Sequence, residues 1–227
     1  MKVLVSGGSK GIGLAIARAF SVLTPNVGIC ARGEAGVDAA LASHRSLKGI
    51  AADVSREEDC ARLVAWAGDA LGGIDVLVNN AGFFDQGGIV DQTPERFEFL
   101  IGANLRSAVN LSRAAIPMLS ASPHATIINI CSVASIKGYP TGVAYAVAKH
   151  GMLGLSRSLR EELKPRGIAV VALLPGATET DSWAGSGLPS ERFMRPDDIA
   201  QVAVLAHRLS RTAVLEEVLM RPFEGDL

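Results

Sequence analysis

Seven short apolar runs, separated by longer stretches with helical spacing, constrain this chain more than any other feature. The runs are KVLVS, NVGICA, LKGIAAD, IDVLVNNAG, ATIINICS, IAVVALLPG and AVLEEVLMRP, in that order along the chain. The first six mostly lack the polar alternation of a strand with one wet face, so each is expected to be covered on both sides. Between the runs, helix-like segments lie around residues 11–23, 34–43, 56–71, 94–119, 143–164 and 197–208. This alternation implies a parallel sheet with right-handed crossovers, a doubly wound α/β fold. A chain of 227 residues can bury a sizeable core as one domain, and its length demands no second. One domain over residues 1–227 is therefore expected, without linker or internal repeat.

Boundary residues agree with the periods. Pro94 follows Thr93 as a first-turn proline after a capping residue, and RPDDIA opens the helix near 197 in the same way. Residues 176–195 are rich in Gly, Ser, Thr and Pro and hold little periodicity, which suggests a short lid over a binding site.

Charge narrows the partner. Lysine plus arginine number 22 against 23 aspartates and glutamates, a balance that argues against nucleic acid or an anionic membrane and for a small molecule. No run approaches the roughly 20 apolar residues of a membrane span, and the first run is too short for a signal peptide. A cytoplasmic protein is expected. Cys30, Cys60 and Cys131 form no CxxC pair and are expected as buried, reduced thiols. His44, His124, His150 and His207 show no metal-ligand spacing, so no metal is expected.

The first strand runs into its helix through SGGSKGIG, with Gly7, Gly8, Gly11 and Gly13 at the junction. Glycines there let the backbone turn sharply and approach a pyrophosphate, whose charge the free N–H groups and dipole of a helix N-terminus stabilise. About 20 residues beyond such a turn, an acid marks NAD through the ribose 2′-hydroxyl, whereas a nearby arginine accommodates the 2′-phosphate of NADP. Here Ala31 fills the acid's place and Arg32 follows it, with Lys10 as a second cation inside the turn. The pair predicts NADP, bound as NADPH. Glu34 lies past the strand end and is expected in solvent.

Further along, YAVAK places Tyr145 and Lys149 four residues apart in a helical segment of small apolar residues. Residues at that spacing share one face, about 6 Å apart along the axis. A neighbouring ammonium favours the phenolate form of a phenol, so the pair suits proton transfer near neutrality.

With these motifs in hand, the sequence resembles the short-chain dehydrogenase/reductase family over essentially its whole length. The family's TGxxxGxG turn stands as SGGSKGIG, with Ser6 for the usual threonine; NNAG is present at residues 79–82; and Tyr145-x-x-x-Lys149 matches its catalytic pair. Asn104 in GANLR and Ser132 in NICSVAS complete the family's tetrad, Asp53 in AADVS matches the aspartate that meets the adenine amino group, and PGATET fits PGxxxT. The resemblance implies a Rossmann-type domain with a seven-stranded, mostly parallel sheet flanked by helices.

It also implies a catalytic set of Asn104, Ser132, Tyr145 and Lys149. Ser132 would hold the substrate oxygen, Lys149 would also grip the nicotinamide ribose, and Asn104 would hold a water linking the lysine to solvent. The implied cofactor contacts are Gly7, Ser9, Lys10, Gly11, Ile12, Gly13, Arg32, Asp53, Val54, Asn80, Ala81, Gly82, Tyr145, Lys149, Pro175, Gly176, Thr178 and Thr180. Two features depart from the family: the chain lacks the VDGG ending, and the lid segment is short.

The expected activity is NADPH-dependent hydride transfer between the nicotinamide and a carbonyl or secondary alcohol, with Tyr145 as general acid and base. A 3-oxoacyl thioester reductase, which would meet an acidic carrier with basic residues such as Lys137 and Arg195, is the alternative. A nucleotide-binding redox sensor without turnover is the alternative from another class. Phe83, Phe84, Tyr139 and Trp183 are candidates for an apolar substrate wall. The segments 94–119 and 143–164 carry apolar positions on more than one face, so a covering partner is expected, with Leu111 on the outer face, and the resemblance implies a homodimer or homotetramer built through them.

Overall fold

The computed structural model describes residues 1–227. Its seven strands are β1 (Val3–Ser6), β2 (Val27–Ala31), β3 (Lys48–Ala51), β4 (Val76–Asn79), β5 (Ala125–Ile130), β6 (Ile168–Pro175) and β7 (Glu217–Met220). They form one sheet in the order β3-β2-β1-β4-β5-β6-β7, and every neighbouring pair is parallel. The expectation of a mostly parallel sheet thus becomes an entirely parallel one. Successive strand residues point to opposite faces, so Val3 and Val5 enter one core and Leu4 the other. Both faces are dry. This is why the strands read as continuous apolar runs.

Helices α1 (Gly11–Ser21), α2 (Glu34–Ser43) and α7 (Pro196–Arg208) stand on one side. Phe20, Ile199 and Ala203 from α1 and α7 pack there on Val3, Val5, Ile128 and Leu173. On the other side α3 (Glu57–Leu71), α5 (Ser107–Ser120) and α6 (Val143–Leu163) bury Leu63, Leu111, Leu119 and Leu163 against Leu4, Leu77 and Ile127. Leu111 is fully buried in this core rather than on the outer face, a correction to the sequence reading.

The stretch 94–119 is not one α-helix either. Helix α4 (Pro94–Ile101), capped by the Thr93 side chain accepting from the Arg96 N–H, passes into a π-helical turn at Gly102–Arg106 before α5 begins. π-Helical turns inside α-helices recur at functional sites, and this one carries Asn104.

Where the strand order reverses, between β1 and β4, the crossovers leave in opposite directions and a crevice opens beyond the carboxyl ends of the strands. Segments 80–93, 131–142 and 176–195 gather at that edge. No helix is long and apolar enough to cross a membrane.

Candidate active site

The crevice is a cleft of about 1260 Å³. Every site residue expected from the sequence lines it except Gly13, which lies behind Gly7. The glycine turn forms its floor. Gly7 adopts φ +63°, a conformation that favours glycine, and a Cβ on Gly13 would come within 2.3 Å of the Gly7 carbonyl oxygen. The N-cap of α1 is Lys10, which offers no side-chain acceptor, so this helix end points uncapped N–H groups at the cleft.

Two side chains weld the turn to β4. Ser6 Oγ accepts from the backbone N–H of Asn80 and of Ala81, both at 3.1 Å, and donates to the Val78 carbonyl. The Asn80 amide donates to the carbonyls of Ser6 and Gly7, each at 3.0 Å. Ser6, noted in the sequence only as a substitute for threonine, thus holds the crevice edges together. At the end of β3, Asp53 accepts from the N–H and hydroxyl of Ser55 at 3.0 and 2.7 Å, leaving its second carboxylate oxygen without a protein partner. Asp59 accepts from the Asp53 N–H, and this bond, with Arg62 beside it, holds the Asp59 carboxyl below its usual range.

The two cations expected to act together are held apart. Lys10 Nζ pairs with Asp181 at 2.6 Å, tying the glycine turn to segment 176–195, while Arg32 lies over the ring of Phe99 on α4. Neither Asp181 nor Phe99 was a candidate in the sequence. An acid in a loop and an apolar helix residue carry no motif.

At the other end of the cleft, Ser132 follows β5 and is nearly buried, its hydroxyl accepting from the Ala134 N–H at 3.1 Å. Tyr145 and Lys149 share the same face of α6, as their spacing requires. Lys149 is 5% exposed, donates to the Ile130 carbonyl at 2.8 Å, and stands 5.7 Å from the centre of the Tyr145 ring. The last carbonyl of β5 therefore fixes the ammonium beside the phenol ring. Asn104 is buried and clamps residue 83: its amide donates to the Phe83 carbonyl at 2.8 Å and its oxygen accepts the Phe83 N–H at 3.1 Å. A second donation, to Leu100, uses the remaining amide hydrogen. The side chain thus positions NNAG, with both amide hydrogens used and one acceptor position of its oxygen left over.

Of the four aromatic candidates, three share the wall near Tyr145. Phe84 meets Tyr145 edge to face at 5.1 Å and stacks towards Trp183, which in turn touches Phe193. Tyr139 lines the same region, and burial, helped by the charge of Asp226, pushes its phenol up. Phe83 instead packs on Phe99. Asp226 also lines this end, its carboxylate 3.2 Å from Lys137 and 3.3 Å from Arg221. All three cysteines are buried and unpaired, and burial pushes Cys30 and Cys60 up to about 12, away from thiolate chemistry.

A parallel sheet with a glycine turn at its switch point, and a serine with a Tyr–Lys pair in the same cleft, defines an α/β oxidoreductase built around a dinucleotide site. The family model for short chain dehydrogenases matches residues 1–188, and the chain belongs to that family. It is 32% identical over 227 aligned residues to the uncharacterized oxidoreductase YvrD of Bacillus subtilis, covering 95% of this chain and 85% of that one. It is 34% identical over 218 residues to the 3-oxoacyl-acyl-carrier-protein reductase FabG of Chlamydia trachomatis, covering 88% of this chain and 87% of that one. Its fold matches an NADPH-bound short chain oxidoreductase of Pseudomonas aeruginosa, described as containing an atypical catalytic center, at TM-score 0.87 and 24% identity over 98% of this chain and 96% of that one.

Proposed function

We propose that the chain is an NADPH-dependent oxidoreductase acting on a carbonyl or secondary alcohol, with Tyr145 as general acid and base. The observation that carries this reading is the cleft itself, which holds the uncapped N-terminus of α1 at one end and Ser132, Tyr145 and Lys149 at the other. The residues present fit a dinucleotide. Gly7 and Gly11 line the cleft with bare backbone for a pyrophosphate, Asp53 keeps a free oxygen for an adenine amino group, and Arg32 offers an unpaired guanidinium next to Ala31, where an acid would select NADH. Bound there, the nicotinamide supplies or accepts the hydride.

The chain's own residues do the rest. Ser132 donates its hydroxyl to the substrate oxygen and orients the carbonyl. Tyr145 gives its proton to that oxygen as the carbon is reduced, or takes it back in the reverse direction. Lys149, held by the Ile130 carbonyl, stabilises the phenolate left behind. Asn104 keeps Phe83 and the preceding NNAG in place, and residues 176–195 act as a lid.

The substrate wall of Phe84, Tyr139 and Trp183 favours a carbonyl compound with an apolar, flat substituent. A 3-oxoacyl thioester is the second reading, favoured by the likeness to FabG. Against it, Lys137 is already paired with Asp226, and Arg195 stands at the start of α7. Following reduced nicotinamide by absorbance against ketones, hydroxy acids, sugars and acyl thioesters tests the reading. No turnover of any carbonyl, despite NADPH binding, would instead establish a nucleotide sensor.

Assembly is proposed through α5 and α6. With Leu111 excluded, the exposed Val147 on α6, 47% accessible, marks the outer face. Val147→Glu is expected to dissociate the dimer or tetramer in light scattering while leaving the fold intact. A wild-type monomer at all micromolar concentrations rejects the interface.

A further inference from the structure

Arg32 leaves the end of β2 as a long, exposed side chain, and its neighbour Gly33 gives it no steric guide, since nothing lies within 4 Å of where a Cβ would be. Its guanidinium carbon nevertheless has a defined seat, 5.5 Å from the centre of the Phe99 ring. The same ring receives a second arginine. Arg96 lies 4.9 Å from the Phe99 centre and 5.0 Å from that of Phe83, and the two phenylalanines meet edge to face at 5.6 Å.

The two arginines are not equivalent. Arg96 is paired with Asp85, so its charge is compensated, whereas Arg32 has no carboxylate within ion-pair distance and keeps its charge for a ligand. A guanidinium over an aromatic face is attracted by the ring quadrupole and stacks with its planar fork still free at the edge. An acid in place of Phe99 would hold Arg32 equally well but would consume its charge. An aromatic ring holds it without neutralising it.

We infer that Phe99 is a specificity-determining residue for the cofactor: it seats Arg32 so that the guanidinium is already ordered for a 2′-phosphate. This rests on the NADPH reading above. Ordering a flexible arginine in advance removes part of the entropy lost on binding, and only a ligand that uses the arginine gains from it. Phe99 should therefore matter for the phosphorylated ribose and not for the rest of the nucleotide. The seat lies on α4, which leads directly into the turn carrying Asn104.

Calorimetric titration with 2′,5′-ADP and 5′-AMP tests this without nicotinamide or turnover. Wild type should bind 2′,5′-ADP more tightly, and Arg32→Met should remove most of the difference. Phe99→Leu should reduce the ratio of the two affinities about three- to tenfold while leaving 5′-AMP within about twofold, and Phe99→Tyr should keep it. In the Arg32→Met background, Phe99→Leu should have no further effect on the ratio. Arg32→Lys, which leaves α4 untouched, should also lower the ratio and serves if Phe99→Leu does not fold. Equal losses for both ligands, or an unchanged ratio in Phe99→Leu, would overturn the role of Phe99 while leaving the NADPH reading standing. Wild-type protein binding both ligands alike would overturn both.

Discussion

The two ends of the cleft are built from different materials. The floor under the expected cofactor is made of backbone: strand ends, a glycine turn and a helix N-terminus, with Ser6 and Asn80 pinning them together. The proposed substrate wall is made of side chains from segments distant in sequence: Phe84 after β4, Tyr139 before α6, Trp183 in segment 176–195, backed by Phe193, and Asp226 beyond β7. Backbone surfaces demand particular residues, because only glycine tolerates the required φ or close approach. A side-chain wall accepts many residues of similar shape and so varies with substrate. Binding of the nucleotide should thus be sensitive to a few positions, and substrate choice to many, each weakly.

The largest effect should come at the junction of the two ends. Tyr145→Phe keeps the ring against Phe84 but removes the transferable proton, so turnover should fall at least about 100-fold while NADPH still binds. Steady-state rates alongside a nucleotide titration measure both, and activity within a few-fold of wild type would break the mechanism.

Next comes the cofactor end. Arg32→Asp places repulsion against a 2′-phosphate and an acceptor for a ribose hydroxyl, and is expected to swing kcat/KM from NADPH towards NADH by about tenfold or more. Activity should survive with NADH. An unaltered preference would mean that the floor selects through groups other than Arg32.

At the substrate end, a single change should do less. Trp183→Leu removes one ring of the wall and should raise KM about three- to tenfold for aryl ketones, with small ketones and NADPH little affected. If all substrates suffered alike, Trp183 would instead be holding segment 176–195 in place.

The smallest effect lies at the opposite edge of the sheet, where catalysis should not register. His207 is 7% exposed, bonded to Thr126 at 3.0 Å with its ring centre 4.6 Å from that of His124, and burial, followed by the His124 charge, lowers it from 6.5 to about 4. Asp75 opposes that shift and the N-terminal ammonium adds to it. Between those values the unfolded chain takes up a proton that the folded chain refuses. Stability should therefore decline as pH falls from about 6.5 to about 4, by on the order of 2 kcal/mol, and level off below. Thermal melts of wild type and His207→Gln across that range should show the slope flattened in the variant. A parallel decline in both would assign the acid sensitivity elsewhere.

The same contrast decides what could be seen in the sequence. The alternation of strands and helices, the glycine turn and the Tyr145–Lys149 pair were legible because backbone geometry and helical spacing impose them locally, whereas the order of the strands in the sheet was not read from the sequence. The whole expected site lines the cleft apart from Gly13, which acts through Gly7. Phe99, Asp181 and Asp226 were not legible, because each acquires its place only when distant segments meet. Leu111 was misplaced for a sharper reason. Periodicity read through 94–119 as one helix misses the π-helical turn at Gly102–Arg106, whose wider winding breaks the α-helical register between α4 and α5.

In the proposed complex, the ion pair between Lys10 and Asp181 makes nucleotide binding partly an exchange rather than a pure addition. Both side chains are more than 70% exposed, so the pair is weak and screened by salt. A phosphate that draws the Lys10 charge to itself weakens the hold on Asp181 and on the segment that bears Trp183. Salt then acts in opposite directions on the two halves of the exchange: it loosens the resting latch and also weakens the incoming phosphate. Affinity for the nucleotide should accordingly fall less steeply with ionic strength than a count of its charges would suggest.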